Sequence, residues 1–118
     1  MKILLADDSE FQLGLLKNIL AAAEYDDTEE CRNTPELEER LLRGNYGTVI
    51  ADLFLPGQGH LKKLFSKGNP PPLIITGSIY NRNEILEASA WAGDFILKPF
   101  DSRNVLEVLV KSIRRRNG

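Results

Sequence analysis

Cysteine is nearly absent from this chain of 118 residues, which contains only Cys31. One cysteine cannot form an intramolecular disulfide, and such usage is typical of proteins that fold in a reducing cytoplasm. Long apolar runs are also missing, since none approaches the roughly 20 residues that a membrane span needs. The N-terminal segment reaches two acids, Asp7 and Asp8, too early for a signal peptide. We therefore expect a cytoplasmic protein with no membrane partner.

An excess of positive charge is missing as well. The formal net charge is −2, so no global basic field attracts nucleic acid, and we expect no direct nucleic-acid contact by this domain. Repeats, low-complexity tracts and inter-domain linkers are not visible either. With 42% hydrophobic residues the chain can bury a core without disulfides or a structural metal. We expect residues 1–118 to form one domain.

The chain does have a regular alternation of two hydrophobic patterns. Short apolar runs predict strands β1, β3, β4 and β5 at residues 3–6, 48–53, 73–76 and 94–97. Apolar residues at helical spacing predict α1 at 10–23, a short α3 at 61–65, and α5 after a cap at Asp101 or Ser102. Alternation of strands buried on both faces with helices predicts an α/β fold, a doubly wound parallel sheet with helices on both faces.

The other three predicted elements are a strand with a weak signal and two helices. Residues 26–32 contain four acids, and we predict a short edge strand there, β2, because charges on edge strands discourage aggregation. We predict that Thr34 caps α2, which ends at Gly44. The spacing also predicts a helix α4 that starts at Asn81 or Asn83, includes Ala90 and Trp91, and ends at Gly93.

Polar side chains stand at the carboxyl ends of the predicted strands: Asp7 and Asp8 after β1, Asp52 after the apolar part of β3, Thr76 at the end of β4 and Lys98 after β5. In a parallel sheet these ends share one edge, so the side chains can converge. Three carboxylates repel one another and favour a hard cation such as Mg²⁺. An ammonium and a hydroxyl suit phosphoryl oxygens. Such a carboxylate can attack a phosphoryl donor and form an acyl phosphate.

This set resembles the receiver domain of response regulators in two-component signalling. The segment Asp52-Leu53-Phe54-Leu55-Pro56 is similar to the loop that follows the phospho-accepting aspartate, and Phe95, three residues before Lys98, matches the switch aromatic. The resemblance spans essentially the whole chain. It implies a five-stranded sheet of order 2-1-3-4-5, as in flavodoxin, and a cis bond before Pro99.

The resemblance also implies a role for each site residue. Asp52 would accept a phosphoryl group from a sensor histidine kinase, a histidine phosphotransfer protein or a small phosphodonor. Asp8 and Asp52 would bind Mg²⁺ directly, with the backbone carbonyl of Phe54, and Asp7 would act through a water. Thr76 and Lys98 would contact the phosphoryl oxygens.

A switch is implied as well. Movement of Thr76 would open space for the ring of Phe95, and the face formed by α4, β5 and α5 would change its preference for a downstream partner or an attached output domain. The chain would catalyse its own phosphorylation and dephosphorylation as a signalling switch rather than a metabolic enzyme.

Two other functions stay open on the sequence. The first is a receiver-like module that binds a partner without being phosphorylated. The second is a phosphohydrolase with an aspartate nucleophile, although Asp7-Asp8 lacks the two-residue spacing of such enzymes. Five features depart from the receiver pattern: the short α3, His60 where glycine is frequent, Phe54 where a polar residue is frequent, Phe95 in place of tyrosine, and the acidic β2 region.

Overall fold

The computed structural model describes residues 1–57 and 61–117, the last two by their backbone only. Most of the predicted loop at 57–60, with His60, thus lies outside the described residues. The strands are β1 Ile3–Ala6, β2 Thr28–Cys31, β3 Thr48–Asp52, β4 Leu73–Ser78 and β5 Asp94–Lys98. The helices are α1 Glu10–Ala22, α2 Thr34–Arg43, α3 Leu61–Leu64, α4 Arg82–Ala88 and α5 Ser102–Asn117, and a 3-10 turn spans Ile79–Asn81. No helix in these ranges is long and apolar enough to cross a membrane.

All strand pairs of the sheet are parallel, and their order is β2-β1-β3-β4-β5. The predicted doubly wound sheet of order 2-1-3-4-5 is therefore confirmed. Because successive strand residues point to opposite faces, the strand side chains contribute to two separate hydrophobic cores, one on each face of the sheet. The α1–α5 core comprises Ile3, Leu5, Leu13, Leu16, Leu20, Ile50, Ile74, Ile96, Val105 and Leu109. The α2–α4 core comprises Leu4, Ala6, Cys31, Leu37, Tyr46, Val49, Ala51, Leu55, Leu61, Leu73, Ile75 and Ala88.

The start of α2 differs from the prediction by one residue. Asn33, not Thr34, is the N-cap, since its side-chain oxygen accepts the N–H of Glu36 at 2.9 Å. The Glu36 carboxylate in turn accepts the N–H of Arg32 at 3.2 Å and the Asn33 side-chain amide at 2.7 Å. Thr34 instead donates its own N–H to the carbonyl of Pro56 at 2.8 Å. The first turn of α2 is thereby tied to the loop that follows β3.

The acidic edge strand forms where it was predicted, but one of its acids is not merely solvated. The carboxylate of Glu29 accepts the hydroxyl of Tyr46 at 2.7 Å and the guanidinium of Arg40 at 3.0 Å, and it pairs with the ammonium of Lys2 at 2.9 Å. We call these four residues the Glu29 cluster. The hydrogen bonds from Lys2 and Tyr46 lower the pKa of Glu29 to about 2. The cluster ties β2 to α2 and to the residues that precede β1 and β3.

The prediction for α4 is wrong at its C-terminal end. The helix ends at Ala88, and the next N–H groups form tighter bonds, from Ala90 to Glu87 at 3.2 Å and from Trp91 to Ala88 at 3.0 Å. Ala90 and Trp91 therefore lie beyond the helix. Strand β4 extends two residues past Thr76. Gly77 permits this, because a Cβ there would lie only 2.8 Å from the Cδ1 of Ile85 in α4.

Candidate functional site

The alternation of strand side chains brings four polar residues to one side of the sheet. Leu5, Ile50, Ile74 and Ile96 all belong to the α1–α5 core. Two residues after each of them stand, respectively, Asp7, Asp52, Thr76 and Lys98. Since strand side chains repeat every two residues, all four point toward the side covered by α1 and α5. The pairing of Asp52 with Thr76 across β3 and β4 places them next to each other in register.

Lys98 bridges two of the predicted acids. Its Nζ donates to Oδ2 of Asp7 at 2.7 Å and to Oδ2 of Asp52 at 3.0 Å. All three side chains are largely withdrawn from solvent, with 14%, 7% and 14% of the side-chain surface exposed for Lys98, Asp7 and Asp52. Burial alone would lower the pKa of Lys98, but the hydrogen bond to Asp7 and the charge of Asp52 raise it above its usual value. The lysine is therefore held as a cation.

The second oxygen of Asp52 is held by its own loop. Oδ1 accepts the N–H of Phe54 at 3.0 Å, while the N–H of Leu53 donates to the carbonyl of Thr76 at 2.9 Å. These bonds turn the chain sharply after β3 and fix the carboxylate at the sheet edge. The ring of Phe54 is 54% exposed above this turn.

Asp8 completes an acidic group with Asp7 and Asp52. One carboxylate oxygen from each lies within 4.8 Å of the others, and Asp8 is exposed while Asp7 is buried. Ser9 fixes the turn between Asp7 and α1. Its N–H donates to Oδ1 of Asp7 at 2.9 Å, and its side chain caps α1 by accepting the N–H of Gln12 at 3.2 Å. Three carboxylates thus face one ammonium.

The oxygen positions suit a small divalent cation. In octahedral Mg²⁺ sites, with metal–oxygen distances of about 2.1 Å, opposite ligands stand about 4.2 Å apart. One carboxylate oxygen from each of Asp7, Asp8 and Asp52 lies within 4.8 Å of the others, a limit slightly wider than that value. The all-oxygen donor set is also the one that Mg²⁺ prefers. The residues present therefore fit this ion.

The two predicted switch residues differ in environment. Thr76 is buried, with 2% exposed, whereas Phe95 is 39% exposed. Phe95 is therefore not a buried core residue in this conformation. The Lys98–Pro99 peptide bond is cis, as the resemblance implies.

Sequence reasoning missed the support that α2 gives to the loop after Asp52. Besides the bond from Thr34 to Pro56, Gly57 has φ +128°, and a Cβ there would collide with the side chain of Thr34. Only glycine allows both this conformation and this approach. A glycine directly after Pro56 was the available signal.

Comparison with known proteins assigns the chain to a family. Residues 3–110 match the family model of the response regulator receiver domain, so the chain is a member of that family. It is similar to the regulatory protein VanRB of Enterococcus faecalis (strain ATCC 700802 / V583), with 31% identity over 121 residues that cover 100% of this chain and 54% of VanRB. The chain therefore spans about half the length of this curated relative.

Solved structures agree on the fold. Full-length FixJ from B. japonicum superposes with a TM-score of 0.87 at 23% identity, over 97% of this chain and 58% of FixJ. A CheY-like receiver domain protein from Methanospirillum hungatei JF-1 gives a TM-score of 0.82 at 22% identity, over 98% of this chain and 95% of that protein. At these identities the likeness concerns the fold alone.

Proposed function

We propose that the chain is a phosphorylatable receiver, in which residues 1–118 act as one domain and Asp52 accepts a phosphoryl group. The observation that carries the proposal is the shared pocket of Asp52, Asp7, Asp8 and Lys98 at the carboxyl edge of the sheet. A surface salt bridge would not need three carboxylates around one ammonium. Family membership supports the same function.

The donor is a phosphohistidine of a sensor histidine kinase or of a histidine phosphotransfer protein, or a small phosphodonor. An oxygen of Asp52 attacks the phosphorus, a P–O bond forms, and the P–N bond to the imidazole breaks. The bonding electron pair returns to the imidazole nitrogen, which takes a proton. The product is an acyl phosphate on Asp52.

Asp8, Asp52 and the backbone carbonyl of Phe54 would hold Mg²⁺ directly, with Asp7 acting through a water. The ion supplies charge neutralisation at the phosphoryl oxygens. Lys98, which bridges Asp7 and Asp52 in the structure, would transfer one hydrogen bond to a phosphoryl oxygen. Thr76 would donate its hydroxyl to another. Hydrolysis of the acyl phosphate by water would return the chain to its starting state.

The output of the switch is a change in the surface formed by α4, β5 and α5. Movement of Thr76 toward the phosphoryl group frees space beside it, and the exposed ring of Phe95 turns inward to fill that space. Because Phe95 lacks a hydroxyl, the switch works by packing alone. The recipient is a downstream protein or an output domain on the same polypeptide, in the cytoplasm and without direct contact of this domain with nucleic acid.

The test is phosphorylation by acetyl phosphate in the presence of Mg²⁺, followed by intact mass measurement. We expect a gain of one phosphate in the parent and in Asp26→Asn, whose side chain is exposed outside the pocket, and no gain in Asp52→Asn. Absence of a gain in the parent, or its persistence in Asp52→Asn, would contradict the proposal. The first result would favour an interaction module that is not phosphorylated.

A further inference from the structure

A groove runs along α2 and continues past the amino-terminal edge of the sheet to Ser112 and Arg115 of α5. It exists because α3 ends at Leu64, after only four residues. The chain then returns to β4 through Asn69 and Pro70 to Pro72, which form part of the opposite wall. The groove and its continuation beside Gly93, Asp94 and α5 have a combined volume of about 1500 Å³. The lining of the groove on α2 extends from Thr34 to Leu42, which at 1.5 Å per residue is about 12 Å, or just over two helical turns.

The floor and one wall of this α2–α3 groove are apolar. Leu41 and Leu64 are half-buried at its base. Leu42 lines the α2 wall with 81% of its surface exposed. Leu42 thus continues the apolar surface of Leu41, Leu64 and the prolines, and a contiguous apolar surface with a polar rim is typical of an interaction site.

The two rims carry opposite charges. Glu38 stands on the α2 rim, and Lys63 and Lys67 stand on the other. Among residues 1–57 and 61–115, none lies within ion-pair distance of these three side chains, whereas the neighbouring Glu39 pairs with Arg43. One rim therefore presents an uncompensated negative charge and the other two uncompensated positive charges.

We propose that the α2–α3 groove binds an amphipathic helix of a partner protein. The helix has an apolar stripe about two turns long, basic residues along the edge that meets Glu38, and acidic residues along the edge that meets Lys63 and Lys67. An extended peptide fits less well, because the walls beside α2 are helix and loop and offer no strand edge for main-chain hydrogen bonds. A helix satisfies its own backbone and needs only the apolar groove. This interaction goes beyond the proposed phosphorylation and does not depend on it.

The test uses three synthetic helical peptides that share one leucine stripe. The first has one lysine edge and one glutamate edge, the second has lysine on both edges, and the third has glutamate on both. A peptide with its two edges exchanged is not a control, because it could bind in the reverse direction. We expect the parent to bind the mixed peptide at least tenfold more tightly than either of the others, by fluorescence anisotropy.

Variants test where the peptide binds and which charges of the groove select it. Leu42→Ser should weaken binding of the mixed peptide at least fivefold, whereas Leu86→Ser on α4, where 52% of the leucine is exposed, should not. Glu38→Lys should shift the preference to the glutamate-edged peptide. Asp52→Asn should bind the mixed peptide as the parent does, which separates this inference from the phosphorylation proposal.

Several outcomes would overturn the inference. These are absence of binding by every peptide, equal binding of all three, equal damage by Leu42→Ser and Leu86→Ser, or loss of binding in Asp52→Asn. Self-association of the parent that Leu42→Ser abolishes would instead identify a second copy of this chain as the occupant.

Discussion

Two groups of ionised side chains lie on this sheet, and their charge balance is opposite. In the acidic pocket, three carboxylates face the single ammonium of Lys98. In the Glu29 cluster, a single carboxylate accepts from two cations and a phenol. The first arrangement leaves repulsion between carboxylates that a divalent cation would relieve, while in the second arrangement both cations are paired with the carboxylate between them. The comparison teaches that an excess of negative charge, rather than charge density, distinguishes a candidate cation site from a structural cluster.

The largest effect is expected from Asp8→Asn, which reduces the excess charge of the pocket. Without Mg²⁺ the variant should be more stable than the parent by up to about 1 kcal/mol, because like charges are fewer. Stabilisation by Mg²⁺ should disappear, and the rate of phosphorylation by acetyl phosphate should fall on the order of 100-fold. Urea unfolding with EDTA or with Mg²⁺, and mass spectrometry over time, measure these quantities. Equal stabilisation of variant and parent by Mg²⁺ would remove Asp8 from the metal site.

The converse change is Glu29→Gln, which removes the one carboxylate of the Glu29 cluster. The partners Lys2, Arg40 and Tyr46 would lose a charged acceptor, so we expect the free energy of unfolding to fall by about 1 to 2 kcal/mol. The matched control is Glu30→Gln, whose ion pair with Lys17 spans 3.9 Å, and it should change stability by less than about 0.5 kcal/mol. Equal effects of the two substitutions would contradict the assignment of a structural role to Glu29.

Acid should weaken the Glu29 cluster in a defined range of pH. The pKa of Glu29 is about 2 in the folded chain, against 4.5 ordinarily. The unfolded chain therefore takes up the proton first as pH falls, so the stabilisation is complete above about pH 4.5 and is lost toward pH 2. The difference in urea midpoint between parent and Glu29→Gln should narrow over this range. A constant difference would refute the lowered pKa.

The smallest effect is expected from Phe54→Asn, which keeps the charges of the pocket and changes its access to water. Phe54 is exposed and its backbone N–H donates to Asp52, and we expect its ring to impede the water that hydrolyses the acyl phosphate. The variant should lose its phosphate about threefold to tenfold faster, a change of about 1 kcal/mol in barrier. Loss of the phosphate label from purified protein measures this rate, and Phe11→Asn, on α1, is the control. Identical lifetimes of parent and Phe54→Asn would exclude the effect.

Much of the candidate site was predictable because it lies at strand ends. Buried parallel strands give continuous apolar runs, and the polar residue that ends each run is visible in the sequence. That signal identified Asp7, Asp52, Thr76 and Lys98. It could not give the pairing of Lys98 with both Asp7 and Asp52, because those residues are separated by 91 and 46 positions.

Other features depended on contacts that no local pattern records. Asn33 and Thr34 are both good caps; in the structure the side chain of Asn33 accepts the N–H of Glu36, and the N–H of Thr34 donates to the carbonyl of Pro56. The apolar spacing through Ala90 and Trp91 was helical, but tight turns after Ala88 ended the helix.

The sequence by itself determined the class of fold and the edge at which chemistry gathers, because strand and helix periods are local properties of the chain. The tertiary structure alone decided which charges meet. It gave Glu29 a full set of donors and left the three acids of the pocket with one lysine. The physical reason is that the energy of a charge depends on distance and burial, and both are set by strand order and helix packing.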